Sequence, residues 1–161
     1  TEVPRQLHHH RMRTRCVMAL GMFDGVHVGQ SDMELAHARE ILGPDKIIGV
    51  STHNAEEARI AQANGADYLG CGAVFATGTK PNIIPITHDI ISQVTEAVDI
   101  PVVAIGGIDQ NNMLQLKGCG LAGVAIVSAI FGAEDIKKAS ADLLALAISL
   151  PLAFSELRQL K

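Results

Sequence analysis

Asp24-Gly25-Val26-His27-Val28-Gly29-Gln30-Ser31-Asp32 is the stretch that decides the fold. A short apolar strand pattern runs into Gly29-Gln30-Ser31-Asp32, and a helical pattern follows at once. This order puts a polar tip and a carboxylate at the C-terminal end of a strand, where parallel α/β proteins keep their chemistry. Comparable clusters close other apolar segments: Ser51-Thr52-His53-Asn54, Thr77-Gly78-Thr79-Lys80, Gly106-Gly107 and Ser128. Gathered on one rim, these hydroxyls, glycines and charges suit a phosphorylated ligand and a divalent cation.

Working outward, the chain alternates strand and helix signals. Strands are expected at 25–28, 46–50, 68–70, 101–105 and 123–127. These runs are rich in β-branched residues and mostly apolar throughout, as strands buried on both faces are. A helix from 32 or 33 to 42 stops at Gly43-Pro44. Asn54 can cap the next helix, with Glu57 completing a capping box, and Asn64-Gly65 ends it. Thr87 opens a helix with Ile90, Ile91, Val94, Ala97 and Val98 on one face. Asp109 is expected to cap a helix over 110–117, ended by Gly118. A last helix carries Ile136, Ala139, Leu143, Leu144 and Ala147. Phe23-Asp24-Gly25-Val26, Ala66-Asp67-Tyr68-Leu69 and Leu121-Ala122-Gly123-Val124 repeat where helix hands over to strand. The order predicts about five βα units with parallel strands. A complete (β/α) barrel has eight, so either a small open sheet or the later part of a barrel fits.

Composition agrees. A length of 161 residues suits one domain with a substantial core. Only 3% of residues are aromatic against 48% hydrophobic, so Ala, Val, Ile and Leu must build that core. A net charge of −4 without a basic stripe argues against nucleic acid as a partner. No apolar run reaches the roughly 20 residues that span a bilayer, which argues against a membrane partner. The run from Ala141 to Leu152 reads as a packed helix. Cys16, Cys71 and Cys119 follow no metal or redox spacing and read as reduced thiols of a cytoplasmic protein. The opening segment, 1–16, holds His8-His9-His10 and Arg5, Arg11, Arg13 and Arg15. It shows no periodicity and is expected to be a disordered lead. The domain proper is expected over 17–150, with a tail over 151–161.

The strand-end clusters each have two readings. Thr77-Gly78-Thr79-Lys80 can bind an anion through hydroxyls, close backbone approach and a point charge, or be a solvated loop. Gly106-Gly107 can form an amide nest against a phosphate, or a tight turn. Val127-Ser128 precedes a helical turn whose free amides suit phosphate. Asp32 can cap a helix, or ligate Mg²⁺ beside substrate phosphate oxygens. His27 reads as a packed core histidine, His53 as a polar contact for a ligand, and His37 and His88 as helix-surface residues. No nucleophile–base pair or triad spacing is visible.

At these residues the sequence resembles the thiamine-phosphate synthase (thiamine-phosphate pyrophosphorylase) family. The resemblance lies in Asp24-Gly-Val-His-Val-Gly-Gln-Ser-Asp32, Ile48-Gly-Val-Ser-Thr-His53 and Gly65-Ala-Asp-Tyr-Leu-Gly70. It continues through Gly72-Ala-Val-Phe-Ala-Thr-Gly-Thr-Lys80, Pro101-Val-Val-Ala-Ile-Gly-Gly-Ile108 and Gly123-Val-Ala-Ile-Val-Ser-Ala-Ile130. It implies a parallel (β/α) barrel of TIM type, N-terminally truncated here to about five βα units. The implied reaction is a Mg²⁺-dependent transfer. A hydroxymethylpyrimidine diphosphate ionises, and the nitrogen of a thiazole phosphate captures the cation, giving thiamine phosphate and diphosphate.

By the same resemblance Asp32 is a Mg²⁺ ligand. Ser51 and Lys80 contact the pyrimidine diphosphate and are the candidate catalytic residues. Thr77, Gly78 and Thr79 form the thiazole-side loop, and Gly107, Val127 and Ser128 the thiazole-phosphate site. The family's earlier βα units, which carry the other half of the diphosphate site, have no counterpart before Val17, and Met22-Phe23 replaces the usual Gly-Ala. An open barrel exposes two sheet edges, so the chain is expected to form homo-oligomers, misfold or need a complementing fragment, and to be weakly active or inactive alone. Two alternatives remain open at this point: a thiazole tautomerase, and a non-catalytic fragment that binds thiazole phosphate.

Overall fold

The computed structural model describes residues 24–30, 32–76 and 85–150. The expected lead segment, the tail, Ser31 and the Thr77-Gly78-Thr79-Lys80 loop lie outside the described residues. Strands and helices alternate: β1 (Gly25–Val28), α1 (Leu35–Leu42), β2 (Ile47–Thr52), α2 (Ala55–Ala63), β3 (Tyr68–Gly72) and α3 (His88–Glu96). Then follow β4 (Val102–Ile105), a 3-10 turn (Met113–Leu116), β5 (Gly123–Ala125), α4 (Ser128–Phe131) and α5 (Ile136–Ser149).

The five strands lie side by side in chain order, and every neighbouring pair is parallel. A doubly wound sheet reverses its strand order at a switch point. A barrel wall never does, so this order is that of consecutive βα units in a TIM-type barrel.

Side chains alternate across the sheet. One face carries Val50, Leu69, Cys71, Val102 and Ala104, which join Ala58 and Ala61 of α2 and Ile91 and Val94 of α3 in a single core. The alanines of α2 let that helix lie close on the sheet. The other face carries His27, Gly49, Ser51, Tyr68, Gly70 and Val103, as the strand register dictates. Burial on both faces holds for β3, where Leu69, Gly70, Cys71 and Gly72 are all buried. It fails for β1 and β5, which hold no buried residue. Both are edge strands among the described residues, each with a neighbour on one side only.

Local chemistry explains where the helices start. The Asn54 side chain accepts the Glu57 N–H at 2.9 Å. Glu57 reaches back to the N–H of His53 at 2.8 Å, one residue earlier than a standard capping box would. Thr87 caps α3 and Asp135 caps α5 through their side-chain oxygens. Two expectations are corrected. α1 begins at Leu35 rather than at 32 or 33, with Glu34 at its N-cap and no side-chain capping bond. The helix expected over 110–117 shrinks to the 3-10 turn. There the Asp109 carboxylate accepts the Asn111 N–H at 2.7 Å, and the side-chain amide oxygen of Asn112 accepts the Asp109 N–H at 2.9 Å. Side chains that bond nearby backbone in this way offer the chain an alternative to regular helix.

Candidate active site

Parallel strands end on one edge of their sheet, so each strand-end cluster emerges on the same side. Asp32 lies in the loop after β1, and Ser51 is the penultimate residue of β2. Gly106-Gly107 follows β4, while Val127 and Ser128 follow β5. Of the residues singled out in the sequence, Asp32, Ser51, Gly107, Val127 and Ser128 are described, and all emerge on this C-terminal edge. Thr77, Gly78, Thr79 and Lys80 lie outside the described residues.

The Asp32 carboxylate turns back to accept the Gly29 N–H at 2.8 Å, and its own N–H donates to the Gly29 carbonyl at 3.0 Å. It therefore does not cap α1, whose N-cap is Glu34. Among the described residues no group of three or more His, Cys, Asp and Glu could hold a metal by itself.

Ser51 is fixed from two sides. The Gln30 side-chain amide donates to its carbonyl at 2.6 Å, tying the loop after β1 to the end of β2. Its hydroxyl lies 3.0 Å from Nε2 of His27. Nδ1 of the same ring lies 3.0 Å from the Tyr68 hydroxyl. His27 is therefore not the packed core histidine expected from its strand. It stands on the face away from the helices, between two hydroxyls. Desolvation lowers its pKa below the usual imidazole value, while the Asp32 carboxylate pulls the other way. Desolvation likewise raises the Tyr68 pKa.

Two glycines make this seat. A Cβ at Gly49 would fall 2.1 Å from the Tyr68 ring, and one at Gly70 would fall 2.7 Å from Cε1 of His27. His27, Tyr68 and Gln30 were not singled out as site residues from the sequence. Glycine in the middle of a strand signals close approach by another group, and that signal was available at 49 and 70.

At β4, Gly106 and Gly107 have φ of 97° and 70°. A Cβ at Gly107 would fall 2.6 Å from the carbonyl oxygens of Phe75 and Ala76, so the close approach of these two loops requires glycine. The Asn112 amide donates to the Gly107 carbonyl at 2.8 Å. After β5, Val127 and Ser128 are exposed, and Ser128 opens the four-residue α4. His53 is held by Glu57, with Nδ1 2.9 Å from the carboxylate. His37 and His88 are exposed on helices, as expected. Cys71 and Cys119 are free and buried. Burial first, then the nearby Cys119 and Glu57, pushes the Cys71 thiol up to about 12, so it is no nucleophile at neutral pH.

The family model for thiamine monophosphate synthase matches residues 13–130, well over half of the chain. The chain belongs to that family. The thiamine-phosphate synthase of Methanobrevibacter smithii is 50% identical over 121 residues, covering 75% of this chain and 58% of that protein. The corresponding protein of Alkaliphilus oremlandii is 51% identical over 120 residues, covering 74% of this chain and 57% of that one. Among solved structures, thiamine phosphate pyrophosphorylase from Pyrococcus furiosus matches with a TM-score of 0.73 and 41% identity, over 83% of this chain and 63% of that one. A 3-hexulose-6-phosphate synthase matches with a TM-score of 0.61 at 20% identity, over 84% of this chain and 67% of that one, a likeness of fold alone. This member of the thiamine monophosphate synthase family thus spans somewhat over half the length of the curated relatives it matches, about 58% for the first. Among the described residues no helix is long and apolar enough to cross a membrane.

Proposed function

We propose that this chain serves thiamine phosphate synthesis in the cytoplasm. The substrates are 4-amino-2-methyl-5-(diphosphooxymethyl)pyrimidine and a thiazole phosphate. The methylene C–O bond breaks, and its electron pair leaves with diphosphate. The thiazole nitrogen lone pair then forms the new C–N bond, giving the thiazolium of thiamine phosphate. Such chemistry needs charge stabilisation rather than a base.

The observation that carries the reading is the shared edge. Asp32, Ser51, Gly107 and Ser128 sit at or just past the C-terminal ends of four parallel strands of one sheet, β1, β2, β4 and β5, in a chain 50% identical over 121 residues to a named thiamine-phosphate synthase. Ser51 and Lys80 contact the pyrimidine diphosphate, and Thr77, Gly78 and Thr79 line the thiazole side. Gly107, Val127 and Ser128 receive the thiazole phosphate. Mg²⁺ prefers one or two carboxylates plus phosphate oxygens, and the exposed carboxylate of Asp32 would supply one of them. When bound, the ion neutralises charge on the departing diphosphate.

The test incubates the purified chain with both substrates, with and without Mg²⁺, and measures thiamine phosphate, alongside calorimetry with each substrate separately. Mg²⁺-dependent product, or binding of both substrates, supports the reading. Isomerised thiazole with no diphosphate consumed assigns a tautomerase. Binding of the thiazole phosphate alone assigns a non-catalytic binder, and binding of neither overturns the proposal.

A further inference from the structure

Tyr68, His27 and Ser51 form a chain of hydrogen bonds across three strands, from β3 to β1 to β2. Nothing in the core needs it: all three side chains stand on the face away from the helices. The row His27, Gly49, Tyr68 is in direct cross-strand register, and Ser51 pairs with Gly70 in the next row. The two glycines leave the space that the rings fill. The seat is therefore built by absence of side chains on the neighbouring strands, and it holds an imidazole with a hydroxyl at each nitrogen.

The polarity of the chain follows from the chemistry of its ends. A phenol is a good donor and a poor acceptor, because the ring withdraws its oxygen lone pair. An unprotonated imidazole nitrogen is a good acceptor. The neutral ring has one of each nitrogen, and the bond made by one decides the role of the other. Tyr68 O–H therefore donates to Nδ1, which leaves the proton on Nε2, and Nε2–H donates to Ser51 Oγ. A serine hydroxyl that accepts from one side keeps its own proton for another partner. The Ser51 backbone is already pinned by Gln30, so only the hydroxyl rotor remains to be set.

We propose that Tyr68 and His27 are positioning residues that aim the Ser51 hydroxyl proton out of the sheet end, as a preset donor to an anionic or lone-pair atom of the bound ligand. This deepens the reading above, since it rests on Ser51 as a pyrimidine-diphosphate contact. Such a donor costs no reorganisation when the ligand arrives.

The experiment has two arms. In the first, nitrogen NMR of the full chain with labelled histidine reads the His27 tautomer at neutral pH. The expected result is a neutral ring protonated at Nε2, with Ser51→Ala moving the Nε2 resonance and Tyr68→Phe moving Nδ1. A ring protonated at Nδ1, a doubly protonated ring, or nitrogens indifferent to both substitutions overturns the proposal. This arm needs no ligand, so it stands even if the synthase reading fails. The second arm measures binding of the pyrimidine diphosphate by calorimetry. Ser51→Ala and His27→Leu should each weaken binding about tenfold, the loss of roughly one hydrogen bond to a charged group. The double variant should be no worse than either single one, and His27→Gln, which keeps an amide donor, should recover part of the loss. Additive losses, or no effect of His27→Leu where Ser51→Ala weakens binding, overturn it. Wild-type chain that binds no pyrimidine diphosphate refutes the synthase reading, and the tautomer then decides the relay by itself.

Discussion

Replacing Arg39 by alanine should destabilise the protein by about 3 kcal/mol, although the side chain lies at the far end of the sheet from the site. The guanidinium fork donates to the Gly43 carbonyl at 3.2 Å, to the Lys46 carbonyl, to the Gly65 carbonyl at 3.1 Å and to the Asp67 carboxylate at 2.6 Å. The same carboxylate oxygen accepts the Ile48 N–H at 2.6 Å. One side chain thus ties the end of α1 to the approaches of β2 and β3. The ion pair itself counts for little, because Asp67 is 45% exposed, and such pairs give at most about 1 kcal/mol. The carbonyl bonds add roughly 0.5–1 kcal/mol each, since water can only partly replace a donor that is 25% exposed. The assay is urea unfolding, followed by far-ultraviolet dichroism and by fluorescence of Tyr68, the single tyrosine in a chain without tryptophan. At a slope of about 2 kcal/mol per molar the midpoint should fall by about 1.5 M. Arg39→Lys should recover less than half, because an ammonium cannot span a planar set of acceptors on separate segments. Arg59→Ala, which removes only an exposed pair with Glu56 at 3.6 Å, is the control. A loss at Arg39 no larger than at Arg59, or one abolished by 1 M salt, would refute the reasoning, since screening removes surface pairs but not carbonyl bonds.

Thr52→Val should stabilise the fold by about 1 kcal/mol, because Oγ1 is fully buried and has no hydrogen-bond partner among the described residues; a loss in the same urea assay would show that the hydroxyl is satisfied. His27 makes stability depend on pH. Its folded pKa lies below the unfolded value near 6.5, so the unfolded chain binds more protons just below that pH. Its contribution is whole above about pH 6.5 and is lost as pH falls toward the folded value, with Asp32 partly offsetting the change. Midpoints measured between pH 5 and 8 should therefore slope upward more steeply in the wild type than in His27→Gln, and equal slopes would contradict the shift. Gly70→Ala should displace the His27 ring at a cost of about 1–3 kcal/mol and change Tyr68 fluorescence in the folded state; an unaltered spectrum at unaltered stability would mean that the ring is not seated there.

The parts of the fold that were legible are those where one residue type has one use. Asn54, Thr87 and Gly43 marked helix ends because a side-chain acceptor or an unhindered backbone is needed there, and the structure uses each as such. β1 has the bounds that its Gly-Val-His-Val run suggested. β2 and β3 run two residues further than expected, to Thr52 and Gly72. Their extra length comes from ladder pairing, Thr52 with Cys71 and Gly72 with Ile105, which local sequence does not reveal. The turn at Asp109 is not legible from a single capping acceptor, because the Asp109 carboxylate takes the Asn111 N–H while the Asn112 side chain takes the Asp109 N–H.

The candidate site divides along the same line. Asp32, Ser51, Gly107 and Ser128 could be named because each follows an apolar run, and parallel strands must then place them on one edge. What lies across the strands, on the open face, could not be read from any single segment. His27 between two valines looked like core, yet the period of two puts it on the face opposite Val26 and Val28. Whether that face is packing or chemistry is decided by residues 49 and 70, which are distant in sequence and adjacent in register. Larger side chains there would have filled the space over the strands, and the imidazole could not then have reached both Ser51 and Tyr68. The two ends of the sheet are therefore built by opposite means. The Arg39 end is closed by saturating backbone carbonyls with a fixed cation. The other end leaves room, through glycine, for side chains that hold one another in orientation. Such an arrangement places the saturated backbone contacts at the N-terminal edge of the sheet and leaves hydroxyls held by an imidazole on its open face.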